Sequence, residues 1–241
     1  MLISLIRCEK MKCKGTLIWP AFFLIPVIPV LLGCGNYLSN LGILKSEWYS
    51  LWTQISLFYS NFFFAPLIGV YCAFLWRYEN FHSCRNLLFA SPVSYGSIYF
   101  SKYCLVCLIT LSTQLWLAVL YIAAGKAVGL EGFPPLDILT WILRGTLGGF
   151  VIATVQYILS SSTPNFALPI GLGVIGGLSG LILANTRSGI FWPYSLMLLG
   201  MNSNKSEDMV SGRFSLFLLI CLLYLILLNL AGTRILKRTV K

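Results

Sequence analysis

Long apolar runs broken by short polar segments set the pattern of this chain. The runs are Thr16–Gly33, Trp48–Trp76, Tyr99–Ala124, Ile138–Leu159, Phe166–Ala184 and Phe214–Thr233. A helix crossing a hydrocarbon core about 30 Å thick needs about 20 mostly apolar residues, so the pattern predicts six transmembrane helices. Pro20, Pro26 and Pro29 predict a kinked first span. The second run is longer than one straight span, and Pro66 marks a second kink. The first run follows a basic start, as a signal peptide would, but "TLIWPAFFLIPVIPVLLG" is long enough to span and lacks a small-x-small cleavage site.

Composition agrees with the pattern. Hydrophobic residues make up 58% of the 241, charged residues only 10%, and mean hydropathy is +0.83. That leaves too little polar surface for a soluble globule. The expectation is an all-α integral membrane protein, a single transmembrane domain over residues 1–241. Charge sets its orientation, because short cytoplasmic loops collect Lys and Arg. With both termini inside, the amino-terminal cations from Arg7 to Lys14, together with Arg77, Arg85, Lys102 and the carboxy-terminal cations from Arg234 to Lys241, face the cytoplasm. Lys45, Lys126, Arg187, Lys205 and Arg213 face outward, and Arg144 lies inside the fourth span. The net charge of +10 therefore reads as topology bias rather than nucleic-acid binding.

Candidate chemistry is sparse. The eight cysteines include one CxxC, Cys104–Cys107, but it falls inside the third apolar run, where Cys acts as a small hydrophobe, and one histidine, His82, cannot build a His-based metal site. "GLSG", Gly177–Gly180, resembles the nucleophile motif of rhomboid intramembrane proteases, but such a serine needs a base within hydrogen-bond reach. The last span contains no histidine and His82 falls in a loop, so no catalytic residue is assigned. The same glycines suit helix packing: Gly173 with Gly177, and Gly176 with Gly180, are four apart and share helix faces. No GxxxxGK[ST] loop occurs, so any ATP-driven action needs a nucleotide site on another subunit.

One polar island stands out, "RYENFHSCRNLLFASPVSYGSIYFSK", residues 77–102. Phe81, Cys84 and Leu88 fall at i, i+3 and i+7 with Leu87 beside them, which predicts a short amphipathic helix. Pro92 stops it, and Ser94 is placed to cap the next helix. Such a helix can dock a partner or simply lie on lipid.

Three segments carry a resemblance: "RCEKMKCKGTLIWP", "ENFHSCRNLLFASPVSYGSIYFSK" and "WILRGTLGGFVIATVQYILSSSTPNFALPIGLGVIGGLSG". In order and spacing the chain resembles the permeases of type-2 ABC exporters, most closely the lantibiotic-immunity branch. The resemblance implies a multi-pass protein of the bacterial cytoplasmic membrane that pairs with a second permease, identical or sister, and with cytoplasmic ABC ATPase subunits holding ATP and Mg. It implies that residues 1–15 form an amphipathic elbow, with Leu2, Ile3, Leu5 and Ile6 meeting lipid while Arg7 to Lys14 stay wet. It also implies that residues 79–92 form a coupling helix touching the ATPase through Glu79, Asn86, Leu87, Leu88, Phe89 and Pro92. The implied substrate is an amphiphilic antimicrobial peptide expelled from the membrane. A lipid or drug exporter of the same fold, or an immunity protein working without an ATPase, would share this architecture.

At the other end, residues 186–212 form an outer segment. Phe191, Trp192 and Tyr194 suit an interfacial belt, and Leu196 to Leu199 suit a dip into the membrane. In permeases of the resembled kind, this region gates the exit. Arg144 is costly in a bilayer and so marks a candidate functional position. It lies seven residues from Asp137 on nearly the same face, so it can snorkel toward Asp137, water or lipid phosphate, or else line a transport path. Gln156 lies off that face by about 120°.

Overall fold

The computed structural model describes residues 2–80, 84–203, 208 and 210–238. Among these the regular structure is helical. Helix α1 (Leu2–Lys12) precedes α2 (Ile18–Leu24) and α3 (Val27–Ser39), which together form the first span. They part at Pro26, which has no N–H to donate to the carbonyl four residues back and whose ring crowds it. Pro20 and Pro29 sit in first turns, where no intrahelical donor is required.

The second span is α4 (Glu47–Phe58) and α5 (Phe64–Arg77), joined by a π-helical turn at Tyr59–Phe63. Pro66 would break a regular ladder at Phe62, so the expected kink takes the form of one wide turn just ahead of it. Helix α6 (Cys84–Ala90) is short and α7 (Tyr95–Ala127) long. Ser94 caps α7, its Oγ accepting from Ser97 N at 3.2 Å. The far end of α7 closes at Gly129, whose φ of +85° lets Leu130 N reach Gly125 O at 2.9 Å.

Helix α8 is Leu136–Ser162 and α9 is Ala167–Leu183, after which α10 (Ser195–Gly200) and α11 (Phe214–Arg238) complete the order. Asn165 starts α9 by accepting from Ala167 N at 2.9 Å and Leu168 N at 3.3 Å. Among the described residues five helical segments are long and apolar enough to cross a membrane; α9, the fifth expected span, has 17 residues, about 25 Å by helical rise.

Successive spans alternate in direction. We call the end with α1 and α6 proximal, and the end with α10 distal. Helix α5 packs against both α8 and α9, and α10 is wedged between α8 and α9. The core holds Trp52, Trp76, Tyr59, Tyr71, Tyr99, Tyr121 and Tyr157, each almost fully buried. Leu219, Leu223, Ile226 and Leu227 of α11 and Ile175 of α9 lie exposed on the outside, as lipid-facing helices require.

Lipid is as apolar as leucine, so close packing rather than hydrophobic burial joins such helices. The α9 glycines permit it on two faces. A Cβ at Gly173 would lie 2.9 Å from the Ala65 backbone, and one at Gly177 would collide with the Asn61 carbonyl in the π turn. A Cβ at Gly176 would strike the Tyr194 ring, and one at Gly180 would lie 2.7 Å from Tyr194 O. One helix thus seats the wide turn on one side and the segment leading into α10 on the other.

Candidate functional site

Seven acidic residues occur in the chain, and at the proximal end the fold gathers two of them, Glu9 and Glu79, around one lysine. Lys102 is fully buried. Its ammonium donates to Glu9 Oε2 at 2.5 Å, Glu79 Oε1 at 2.7 Å and Leu75 O at 3.1 Å, which uses all three donors. Trp76 offers its ring face 5.2 Å away. Lys12 closes the cluster from the rim, 2.8 Å from Glu9 Oε1 and 2.7 Å from Glu79 Oε1.

Two carboxylates and two ammonium groups balance, the condition under which buried charge is tolerated. Burial pushes the Glu79 carboxyl up, but Lys102 and Lys12 outweigh it and hold Glu79 below its ordinary value. Burial likewise works against the Lys12 ammonium, while its hydrogen bonds to Glu79 and Glu9 raise it above the usual lysine value. The cluster ties α1, Glu79 just past α5 and the start of α7 into one unit. The segment bearing α6 leaves and returns between Glu79 and Lys102.

Several expectations change here. Glu79, expected on an exposed docking face, is only 3% exposed, because its charge is needed inside the cluster. Glu9 and Lys102, expected wet, are buried for the same reason. Leu5 and Ile6 are half-buried, while Leu2 and Ile3 remain exposed. Helical periodicity within one segment could not find this cluster, since its members are 93 and 23 residues apart. The scarcity of acids on the basic end was the available signal.

On α6, Leu87 is 74% exposed and Leu88 and Phe89 are half-buried. Phe89 packs on Tyr95 at 5.5 Å and under the Arg85 guanidinium at 5.9 Å. Arg85 also covers Trp76 and donates to Ser161 O at 2.5 Å, fastening α6 to the end of α8. Pro92 is exposed beyond the helix. Asn86 lies in α6 with its side chain outside the described residues, as are Phe81, His82 and Ser83.

At the distal end Arg144 turns to Asp208 rather than Asp137. Its Nη1 is 2.6 Å from Asp208 Oδ2, and its guanidinium lies over Phe214 at 5.4 Å. Trp141 Nε1 donates to the same oxygen at 3.3 Å, and Oδ1 accepts from Val210 N and Ser211 N. Burial raises the Asp208 carboxyl, but these donors, Arg144 foremost, hold it below its ordinary value. The long-range partner wins because Asp208 arrives already oriented by a turn of its own.

Phe191 and Trp192 stay at the surface, whereas Tyr194 is buried with its hydroxyl 3.1 Å from the Gln156 amide. With the Gln156 oxygen accepting from Tyr194, its nitrogen donates to Pro169 O at 2.9 Å, which satisfies both ends. All of α10 is buried. A Cβ at Gly148 would lie 2.5 Å from Met197 N, and one at Gly200 would lie 2.7 Å from the Arg144 backbone.

Residues 5–180 match the family model described as ABC-2 family transporter protein. The chain belongs to the ABC-2 transporter family. Curated proteins yield no match. The matched stretch contains the proximal cluster, α6 and Arg144, while Asp208, α10 and α11 lie beyond it. This ABC-2 transporter protein is a multi-pass membrane component of transport, not the catalyst, and its family works with ABC ATPases.

Proposed function

We propose that this ABC-2 protein is the permease subunit of an ATP-driven exporter in the bacterial cytoplasmic membrane. It crosses six times with both termini cytoplasmic, beside a second permease and above two ATPase subunits that bind ATP and Mg. The single observation that carries this reading is the proximal charge cluster flanking α6. A helix pushed by an ATPase moves only itself unless rigid contacts pass the force on. Here Glu79 and Lys102 bracket the segment and Arg85 ties it to α8, so displacement of α6 reaches α1, α5, α7 and α8 together.

Leu87, the large exposed apolar side chain among the described residues of α6, is the docking contact in this reading, with Leu88 and Phe89 behind it. The substrate is an amphiphilic antimicrobial peptide of the lantibiotic class, expelled outward for self-protection or resistance. Resemblance to immunity permeases supports the peptide class. Arg144, Phe191, Trp192 and Tyr194 mark the exit, where the partly exposed guanidinium meets the peptide's carboxylate or exchanges Asp208 for it.

Leu87→Asp tests the docking step by placing a carboxylate in an apolar contact. Expected is loss of ATPase co-purification with membrane levels unchanged. Unaltered co-purification would mean that α6 rests on lipid. Peptide resistance conferred by this chain in cells without a cognate ATPase would overturn the exporter reading.

A further inference from the structure

A cavity of about 400 Å³ opens at the proximal end, apart from the charge cluster. It sits where the second and fourth spans end and the first and α9 begin, so it lies at the boundary between water and hydrocarbon. Its membrane-side wall is apolar: Phe74 and Phe166 meet edge-on at 5.1 Å, with Ala73 and Pro169 beside them. Leu17 and Phe166 are exposed, which leaves the cavity open toward the lipid side.

Its water-side wall is polar and positive. Arg77 is exposed and has no carboxylate partner among the described residues; its guanidinium lies 5.8 Å from the Phe74 ring. Ser160 lines the same cavity, is 1% exposed, and its hydroxyl has no hydrogen-bond partner. A buried hydroxyl without a partner is costly, and a turn of the Ser160 side chain into the cavity would let a ligand oxygen accept from it. Helix α9, 17 residues long, begins at this wall; Asn165 caps its first N–H groups, and the helix adds only the positive end of its dipole. Asn80 and Thr163, joined by a 3.3 Å hydrogen bond, complete the rim. Among the described residues no carboxylate lines the cavity.

One uncompensated guanidinium and an unpartnered buried hydroxyl, with a helix dipole behind them, suit a phosphate oxygen. An aromatic wall open to the lipid side suits an acyl chain. We propose that this cavity binds an anionic phospholipid, its phosphate on Arg77 and Ser160 and the first part of an acyl chain against Phe74 and Phe166. The site does not depend on the ATPase or on the peptide substrate, since every contact belongs to this chain.

The test uses the full chain purified in detergent and delipidated, titrated with phosphatidylglycerol or phosphatidylcholine and followed by native mass spectrometry. Wild type should prefer phosphatidylglycerol. Arg77→Gln should weaken phosphatidylglycerol binding roughly tenfold or more, the loss expected for one charge-assisted hydrogen bond. Ser160→Ala should weaken it less, and Lys45→Gln at the distal end not at all. Glycerol 1-phosphate should fail to compete, because it lacks the acyl chain; equal competition would overturn the lipid assignment. Wild-type affinity in Arg77→Gln would overturn the site. A second arm needs no variant: a phosphatidylglycerol carrying a diazirine near its headgroup should label the peptides containing Phe74 and Phe166. Labelling spread evenly over exposed faces such as Leu219–Leu227 would refute the proposal.

Discussion

The proximal and distal ends each hold arginine or lysine against a carboxylate, but in different surroundings. At the proximal end, Lys102, Glu9 and Glu79 have side chains exposed by 0, 7 and 4%, and three chain segments converge on them. At the distal end, Arg144 and Asp208 are exposed by 20 and 24%, and a single contact joins them. Water screens the second pair and not the first. A buried balanced cluster resists the loss of any member, since a remaining charge would be stranded. A half-wet pair can open and let each partner find water or a ligand, so the two ends suit different work: the proximal one transmits force and the distal one opens.

Removing the central cation is the harshest way to break this contrast. Lys102→Met should destabilise the protein by about 3–5 kcal/mol, the range for stranding buried charge. The readout is thermal stability in detergent, together with the amount in membranes. Lys102→Met combined with Glu79→Gln restores charge balance with Glu9 and Lys12, and should recover more than half of the loss. No recovery would mean that Lys102 contributes through packing against Trp76 rather than through charge.

Acid should separate the ends more gently. Glu79 has a folded value below its ordinary 4.5. Its stabilising effect is therefore complete above 4.5 and lost as pH falls through the lowered value. Thermal stability of the wild type should stay level from pH 7 to about pH 5 and drop below pH 4.5. Glu79→Gln should flatten that drop. Asp208 has the same sign, its carboxyl also being held low, but greater exposure makes its share smaller. An acid drop unchanged in Glu79→Gln would remove the proximal cluster as its source.

The smallest effect on stability is expected at Arg144. Arg144→Leu should cost about 1 kcal/mol or less, as for partly exposed pairs, and the difference from wild type should shrink in high salt. Export is the sharper readout. Leu should abolish it at normal membrane levels, and Lys, which keeps charge without the planar fork, should retain part. A stability loss as large as that of Lys102→Met would erase the distinction between the ends.

Much of the helical layout was legible in the sequence, because a hydrocarbon core demands about 20 apolar residues per crossing and Pro26 and Pro66 lack the N–H a regular ladder needs. The start of α7 at Ser94 and the end of α6 before Pro92 follow from local chemistry too. Local pattern was weaker where polar groups were few. Tyr194 reads as an interfacial aromatic and Leu196 to Leu199 as a dip into the membrane, yet Tyr194 is drawn inward together with α10 because Gly148, Gly176 and Gly180 leave room for backbone and ring.

What the sequence by itself determined is which stretches must be helical and apolar, since each backbone N–H and C=O in lipid has to be satisfied within its own helix. That constraint is local and needs no partner. Which charges meet was decided only by the tertiary structure. Lys102 reads as a loop cation until α1 brings Glu9 to it across 93 residues, and Arg144 reads toward Asp137 until a distant turn presents Asp208. Coulomb energy depends on the distance and dielectric between groups, and neither is written in the spacing of residues along a chain.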